Sequence, residues 1–132
     1  MPQYRISQAA ALLGVSDDTV RRWVDDGALP VGTDAAGRMV VDGAALAAHA
    51  QRGPGGAPDP SGVGRSARNR FVGLVTRVVA DGVMAQVEMQ CGPHRVVSLM
   101  SREAAEELGL EPGSQAVAVV KATTVIVETP RP

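Results

Sequence analysis

Apolar residues recur at helical spacing near the start of the chain and at strand spacing towards its end. Val20, Trp23 and Val24 follow the i, i+3, i+4 rule, which places them on one face of a helix that Ser16 caps. Asp17 and Asp18 fall in its first turn, where the helix dipole favours acids. The opposite face presents Asp18, Thr19, Arg21, Arg22 and Asp25. Ahead of it, Ser7 is expected to cap a helix over 8–13 that Gly14 ends in the left-handed conformation. Leu13-Gly14-Val15-Ser16 then leaves room only for the turn of a helix-turn-helix.

From Arg70 the period becomes that of strands. Residues 71–79 are rich in β-branched side chains, and Asp81-Gly82 is the strongest hairpin signal in the chain. Over 84–89, Met84, Gln86 and Glu88 alternate with Ala85, Val87 and Met89, the mark of a half-buried strand. Gly92-Pro93 turns the chain into a strand over 94–100. Ser101 caps a short helix over 102–108, which stops at Gly109 with Leu110 placed for the apolar contact of the C-cap. Two further strands are expected, at 115–121 and 124–128. Five strands with one helix before the fourth predict a small Greek-key β-barrel of the oligonucleotide-binding (OB) type.

Between these patterns, residues 53–64 read Gly-Pro-Gly-Gly-Ala-Pro-Asp-Pro-Ser-Gly-Val-Gly, with almost nothing to bury. This is a linker, so the chain of 132 residues is expected to form two domains of an α+β protein, 1–52 and 66–132, joined by 53–65. A net charge of −1 excludes nucleic-acid binding by bulk electrostatics and leaves only local patches. Positive charge gathers at Arg65, Arg68 and Arg70. The single Cys91 permits no intrachain disulfide and no multi-thiolate metal site, and is expected to be a small buried thiol. Met84, Met89 and Met100 read as barrel filling, His94 as a solvated rim residue, and His49 as a cation suited to a helix end. No Ser, Cys or carboxylate stands at a catalytic spacing from either histidine, so no enzyme is expected. No apolar run approaches the roughly 20 residues of a membrane span, and the start lacks the regions of a signal peptide; a cytoplasmic location is expected.

Two short runs carry chemistry of their own. Ser66-Ala67-Arg68-Asn69 and Lys121-Ala122-Thr123-Thr124 each pair one obligate cation with small hydroxyl or amide side chains. Arg68 offers a planar fork of donors, Lys121 a compact point charge, and Ser66, Asn69 and Thr123 neutral donors that fix orientation. Together they suit a small tetrahedral anion, provided the segment between them folds back on itself.

The first 45 residues or so resemble the helix-turn-helix of excisionases and of mercury-resistance-type regulators. The residues that carry the likeness are Ala9-Ala10, Leu13-Gly14-Val15, Ser16, Thr19-Val20-Arg21-Arg22-Trp23, Gly27 and Leu29-Pro30. The resemblance implies a winged helix-turn-helix, with a wing over 31–41 whose tip is Thr33 to Gly37, and a last helix over 43–49 capped by Asp42. Its DNA-binding residues would be Ser16, Asp18, Thr19, Arg21 and Arg22 on the helix and Thr33 and Arg38 on the wing, the helix reading bases and Arg38 reaching phosphate. Asp25, Asp26 and Asp34 oppose strong binding by one copy, so two or more copies per operator are expected.

Residues 66–128 resemble the TOBE or Mop domain of molbindins and molybdate-responsive regulators. The likeness rests on Ser66-Ala67-Arg68-Asn69, Gly73, Ser101, Leu108-Gly109-Leu110-Glu111-Pro112-Gly113 and Lys121-Ala122-Thr123-Thr124-Val125. It implies molybdate or tungstate as ligand, held by Ser66, Ala67, Arg68, Asn69, Lys121, Ala122 and Thr123, with Ser101 supplied by a neighbouring subunit. Some relatives carry a further hydroxyl where this chain has Ala104. A homo-oligomer follows from such a shared site, a dimer at least, with a trimer of dimers as one arrangement. The expected function is a molybdate-responsive transcription regulator. The alternatives are a molbindin-like cytoplasmic molybdate store and an excisionase-like architectural DNA binder with a structural barrel.

Overall fold

Ser16 and Asp42 open two of the helices of the first unit as their side-chain chemistry requires. Ser16 Oγ accepts the Thr19 N–H at 3.1 Å, and Asp42 Oδ2 accepts the Ala45 N–H at 3.0 Å. In the computed structural model, which describes residues 2–53, 58–64 and 66–130, the chain divides into two compact units, Met1–Pro54 and Gly55–Pro132. Of the expected linker 53–65, residues 54–57 and Arg65 lie outside the described residues.

The first unit runs β1 (Gln3–Arg5), α1 (Ile6–Leu13), α2 (Asp17–Asp25), β2 (Val31–Thr33), β3 (Met39–Asp42) and α3 (Gly43–Arg52). β3 is the centre of a three-stranded antiparallel sheet in the order β1-β3-β2, with Tyr4 opposite Val41 and Gly32 opposite Val40. The core beneath is Ile6, Ala9, Ala10, Val20, Leu29, Val41 and Leu46, with Trp23 and Val24 packed against it. The apolar face expected of α2 is therefore the face that packs. Gly14 ends α1 at φ 67°, as expected of it. The start of α1 differs: the N-cap is Arg5 and not Ser7, and Gln8 Oε1 accepts the Arg5 N–H at 2.9 Å. An amide reaching back to the cap position fixes the first turn two residues earlier than a Ser7 cap would.

The second unit runs β4 (Asn69–Ala80), β5 (Met84–Cys91), β6 (His94–Ser101), α4 (Arg102–Glu107) and β7 (Gln115–Val120), followed by a 3-10 turn at Ala122–Thr124. All pairs are antiparallel and the strand order is β6-β5-β4-β7. At the β4–β5 turn, Asp81 Oδ1 accepts the N–H groups of Val83 and Met84, both at 2.8 Å, so one carboxylate caps the hairpin. Ala85, Val87, Met89 and Cys91 of β5 are buried with Val75, while Met84, at 43% exposure, lies outside the core. Met84 sits at the open start of its strand, opposite Ser101. Ser101 caps α4 by accepting the Ala104 N–H at 3.0 Å.

Gly73 is forced by packing. A Cβ there would lie 2.7 Å from Cys91 Sγ and closer still to the Gln90 carbonyl, so no larger residue fits between β4 and β5.

The expected strand 124–128 does not form in this chain, so the sheet has four strands where five were expected. The 3-10 turn redirects the backbone directly after β7, and residues 125–128 enter no ladder. Ile126 and Val127 are each 84% exposed. The segment has the β-branched side chains of a strand, but propensity alone forms no ladder.

Candidate anion and nucleic-acid sites

The register of β4 against β7 brings the two cationic runs together. Asn69 lies opposite Val120, which carries Arg68 and Lys121 to the same end of the ladder. Asn69 fastens that end: its Nδ2 donates to the Val120 carbonyl at 3.2 Å. One further amide hydrogen and the Oδ1 of Asn69 remain for other partners. Ser66, Arg68, Lys121, Ala122 and Thr123 are exposed, and Ala67 is half-buried. Among the described residues, neither Arg68 nor Lys121 forms an ion pair. Thr124 Oγ1 donates to the Lys121 carbonyl at 2.9 Å, holding the turn that follows the cation.

Ser101 is elsewhere. It pairs with Met84 at the start of β5, and Ala85 pairs with Ala80, the last residue of β4. The 12-residue β4 therefore separates Ser101 from Asn69 by roughly 35 Å of strand. A site that uses Arg68, Lys121 and Ser101 together has to draw them from two chains. The Ser101 hydroxyl accepts from the Ala104 N–H and keeps its own proton to donate.

Arg70, next to the first run, holds down the end of the linker. Its Nε donates to Asp59 Oδ2 at 2.8 Å and its Nη2 to Ser61 Oγ at 3.0 Å. This anchor is not legible in the sequence, because a contact across eleven positions of irregular chain has no period.

In the first unit, Ser16, Asp18, Arg21, Arg22, Thr33 and Arg38 are exposed and Thr19 is half-buried. Thr19 Oγ1 lies 2.9 Å from Ser16 Oγ, so the two hydroxyls are coupled at the start of α2. Arg21 pairs loosely with Asp18 at 3.9 Å, an exposed contact that costs well under about 1 kcal/mol to release. Arg38 is held more firmly. Asp34 Oδ1 accepts the N–H groups of Ala36 and Arg38, both at 2.9 Å, and its Oδ2 accepts Arg38 Nε at 3.1 Å. One carboxylate thus shapes the β2–β3 tip and aims the guanidinium that sequence assigns to phosphate. In the sequence alone Asp34 counts only as an opposing charge.

The Arg38 N–H, with the Ala36 N–H and the Arg38 charge, holds the Asp34 carboxyl below the ordinary aspartate range. The N–H groups of Met84 and Val83 do the same for Asp81, and the Arg95 guanidinium does so for Glu88. Folded values below unfolded ones mean a stabilisation that is complete above the unfolded values and is lost as pH falls through the folded ones. The melting temperature is therefore expected to be flat from neutral pH to about pH 5 and to fall below about pH 4, read by circular dichroism. A melting temperature unchanged down to pH 3 would show that these contacts contribute nothing. Burial pushes the Cys91 thiol upwards, in keeping with an inert packing role.

A concavity of about 590 Å³ is lined by Leu13, Val15, Trp23, Ala28 and His49 and includes none of the candidate anion- or DNA-binding residues. No group of three or more His, Cys, Asp or Glu among the described residues is placed to hold a metal ion. Among them, no helix is long and apolar enough to cross a membrane.

Known proteins divide the chain at the same place. Residues 65–127 match the TOBE domain and residues 4–54 the helix-turn-helix domain family. Molybdenum-pterin-binding protein 2 of Clostridium pasteurianum is 36% identical over 63 residues, 47% of this chain and 93% of that protein. The molybdenum transport protein ModE of Herbaspirillum seropedicae is 35% identical over 65 residues, 48% of this chain but 24% of that protein. Among solved structures, the cytoplasmic molybdate-binding protein ModG, in a form with molybdate bound, is 40% identical with a TM-score of 0.51, over 55% of this chain and 52% of that one. These relatives are binding and transport proteins, not enzymes. With its end-on pair of cationic runs and its separate helical unit, the chain belongs to the TOBE-domain family, with a helix-turn-helix domain in the same polypeptide.

Proposed function

We propose that the chain is a cytoplasmic transcription regulator that binds molybdate or tungstate in its second unit and DNA with its first. The observation that carries this reading is the β4–β7 register, which sets Arg68 beside Lys121 at one end of the sheet while Ser101 stands at the other. Two cations per site match the charge of a dianion. Short neutral donors from Ser66, Asn69, Thr123 and the backbone at Ala67 and Ala122 replace its hydration shell. Ser101 comes from the next chain, so ligand and assembly are linked. An anion that touches two chains favours the associated state by its own binding free energy. The apolar segment 125–127 supports the same reading, because the fifth strand of the barrel can then form against another copy. The molybdenum-pterin-binding protein, the molybdenum transport protein ModE and the molybdate-binding protein ModG support the same reading.

Calorimetric titration with molybdate, tungstate and sulfate tests the ligand, and sulfate is expected to bind more weakly because it is smaller. Selection of duplex DNA from a random pool, with and without molybdate, tests the regulator. An affinity change of fivefold or more on adding molybdate is expected, a coupling of about 1 kcal/mol. Tight molybdate binding with no DNA bound under either condition would instead favour a molybdate store. DNA binding by a chain without oxyanion affinity would favour an architectural role.

A further inference from the structure

The helix that opens the first unit begins with an unusual charge arrangement. Arg5 occupies the N-cap of α1, no acid lies in the first turn, and the Arg5 side chain, which carries donors only, caps no N–H of the helix. A cation at the positive end of a helix is unfavourable and is normally avoided. Among the described residues, no carboxylate forms an ion pair with Arg5.

Its surroundings are equally short of negative charge. Gln3, Arg5, Gln8, Asp34, Arg38 and Val40 line one open concavity of about 360 Å³. The β1–β3 register builds it by setting Arg5 opposite Val40, two residues past Arg38. Gln8 Oε1 is committed to the Arg5 N–H, and that bond orients the Gln8 amide so that both its hydrogens remain to donate. The concavity thus holds two guanidinium groups and two carboxamides against one carboxylate. That carboxylate, Asp34, already accepts from Arg38 and from two backbone N–H groups.

We propose that Gln3, Arg5, Gln8 and Arg38 form a seat for one phosphodiester of duplex DNA, with Arg5 as a phosphate contact alongside Arg38. The chemistry is that of backbone positioning: planar forks and amide donors recognise a tetrahedral anion and carry no base information. Asp34 holds Arg38 ready and gives up its Nε when phosphate arrives. Because phosphate contacts are independent of sequence, the seat raises affinity for every duplex alike. The proposal rests on the DNA-binding reading of the first unit.

Fluorescence anisotropy of the full chain on a labelled random-sequence duplex of about 25 base pairs, across a salt series, tests it. Arg5→Gln is expected to weaken binding about fivefold at low salt and to lower the slope of log K against log salt by about 0.9. The gap between the two proteins should then narrow about threefold between roughly 50 and 200 mM salt. Arg5→Lys keeps the charge and is expected to keep the slope. Asp34→Asn keeps an oxygen for the two N–H groups, removes the charge from the seat and is expected to tighten binding severalfold. The wild-type slope and affinity in Arg5→Gln, with an unchanged melting curve, would overturn the seat, as would no gain from Asp34→Asn. Inorganic phosphate at constant ionic strength is expected not to compete at micromolar concentration. Saturation by it there would assign the seat to a free anion and overturn the DNA assignment. Failure of the wild-type chain to bind any duplex would instead remove the reading on which the seat depends.

Discussion

Lys121→Ala is expected to weaken molybdate binding by about 2–4 kcal/mol, roughly 30- to 1000-fold, in calorimetric titration. Arg68 then faces a dianion alone, at the end of a ladder where the described residues offer neither cation an ion pair. Truncating one member of a desolvated, hydrogen-bonded charge pair removes its attraction and leaves the other charge uncompensated. Ser101→Ala should cost less, because a neutral hydroxyl contributes only about 0.5–1.5 kcal/mol. The same substitution also removes the cap of α4. Mixing the two variants separates ligand loss from structural loss. If the site takes Lys121 from one chain and Ser101 from the next, a mixed assembly contains some sites with both residues intact, and tight binding returns to a fraction of them. No recovery on mixing would place the site within one chain, and unchanged affinity in Lys121→Ala would remove the lysine from it.

Gly73→Ala is expected to destabilise the second unit by about 3 kcal/mol while leaving the first unit unaffected. The added methyl meets Cys91 Sγ at 2.7 Å and the Gln90 carbonyl at a shorter distance, and the carbonyl belongs to the ladder itself. A side chain can swing away, but a backbone oxygen moves only with its strand. Cys91→Ala in the Gly73→Ala background should therefore recover only part of the loss. Urea unfolding followed by far-ultraviolet circular dichroism shows the effect as an earlier transition in one of two units. Equal midpoints for Gly73→Ala and wild type would mean that β4 and β5 can part at this point without cost.

What the sequence made legible was local chemistry with a fixed offset. Ser16, Asp42 and Ser101 announce helix starts because each oxygen must find an N–H three residues on. Asp81-Gly82 announces the hairpin, and the alternation of β5 shows in Ala85, Val87 and Met89. The two cationic runs are visible as composition, and the ladder that joins them follows from strands folding back. Less was legible where partners are distant or short of a period. β1 has three residues, too few to show alternation. α1 begins at an arginine, which no capping preference would choose. The segment 124–128 has the side chains of a strand, but a strand is a relation between two segments, and residues 125–128 enter no ladder. Asp34 reads as one more acid until the hairpin brings Arg38 to it. The seat around Arg5 needed β1, and β1 was not foreseen.

Trp23 lies against His49 in a tilted contact, with ring centroids 4.3 Å apart. The chain has one tryptophan and one tyrosine, Trp23 and Tyr4, and both belong to the first unit. The second unit, where the oxyanion is expected to bind, is dark at tryptophan wavelengths. Emission from this protein is thus a natural listener placed on one unit only. When molybdate is added, heat reports that the ligand has arrived, whereas a change in Trp23 emission reports that the news has crossed to the DNA-binding unit. Heat without a change in light would describe a receptor that keeps the signal to itself.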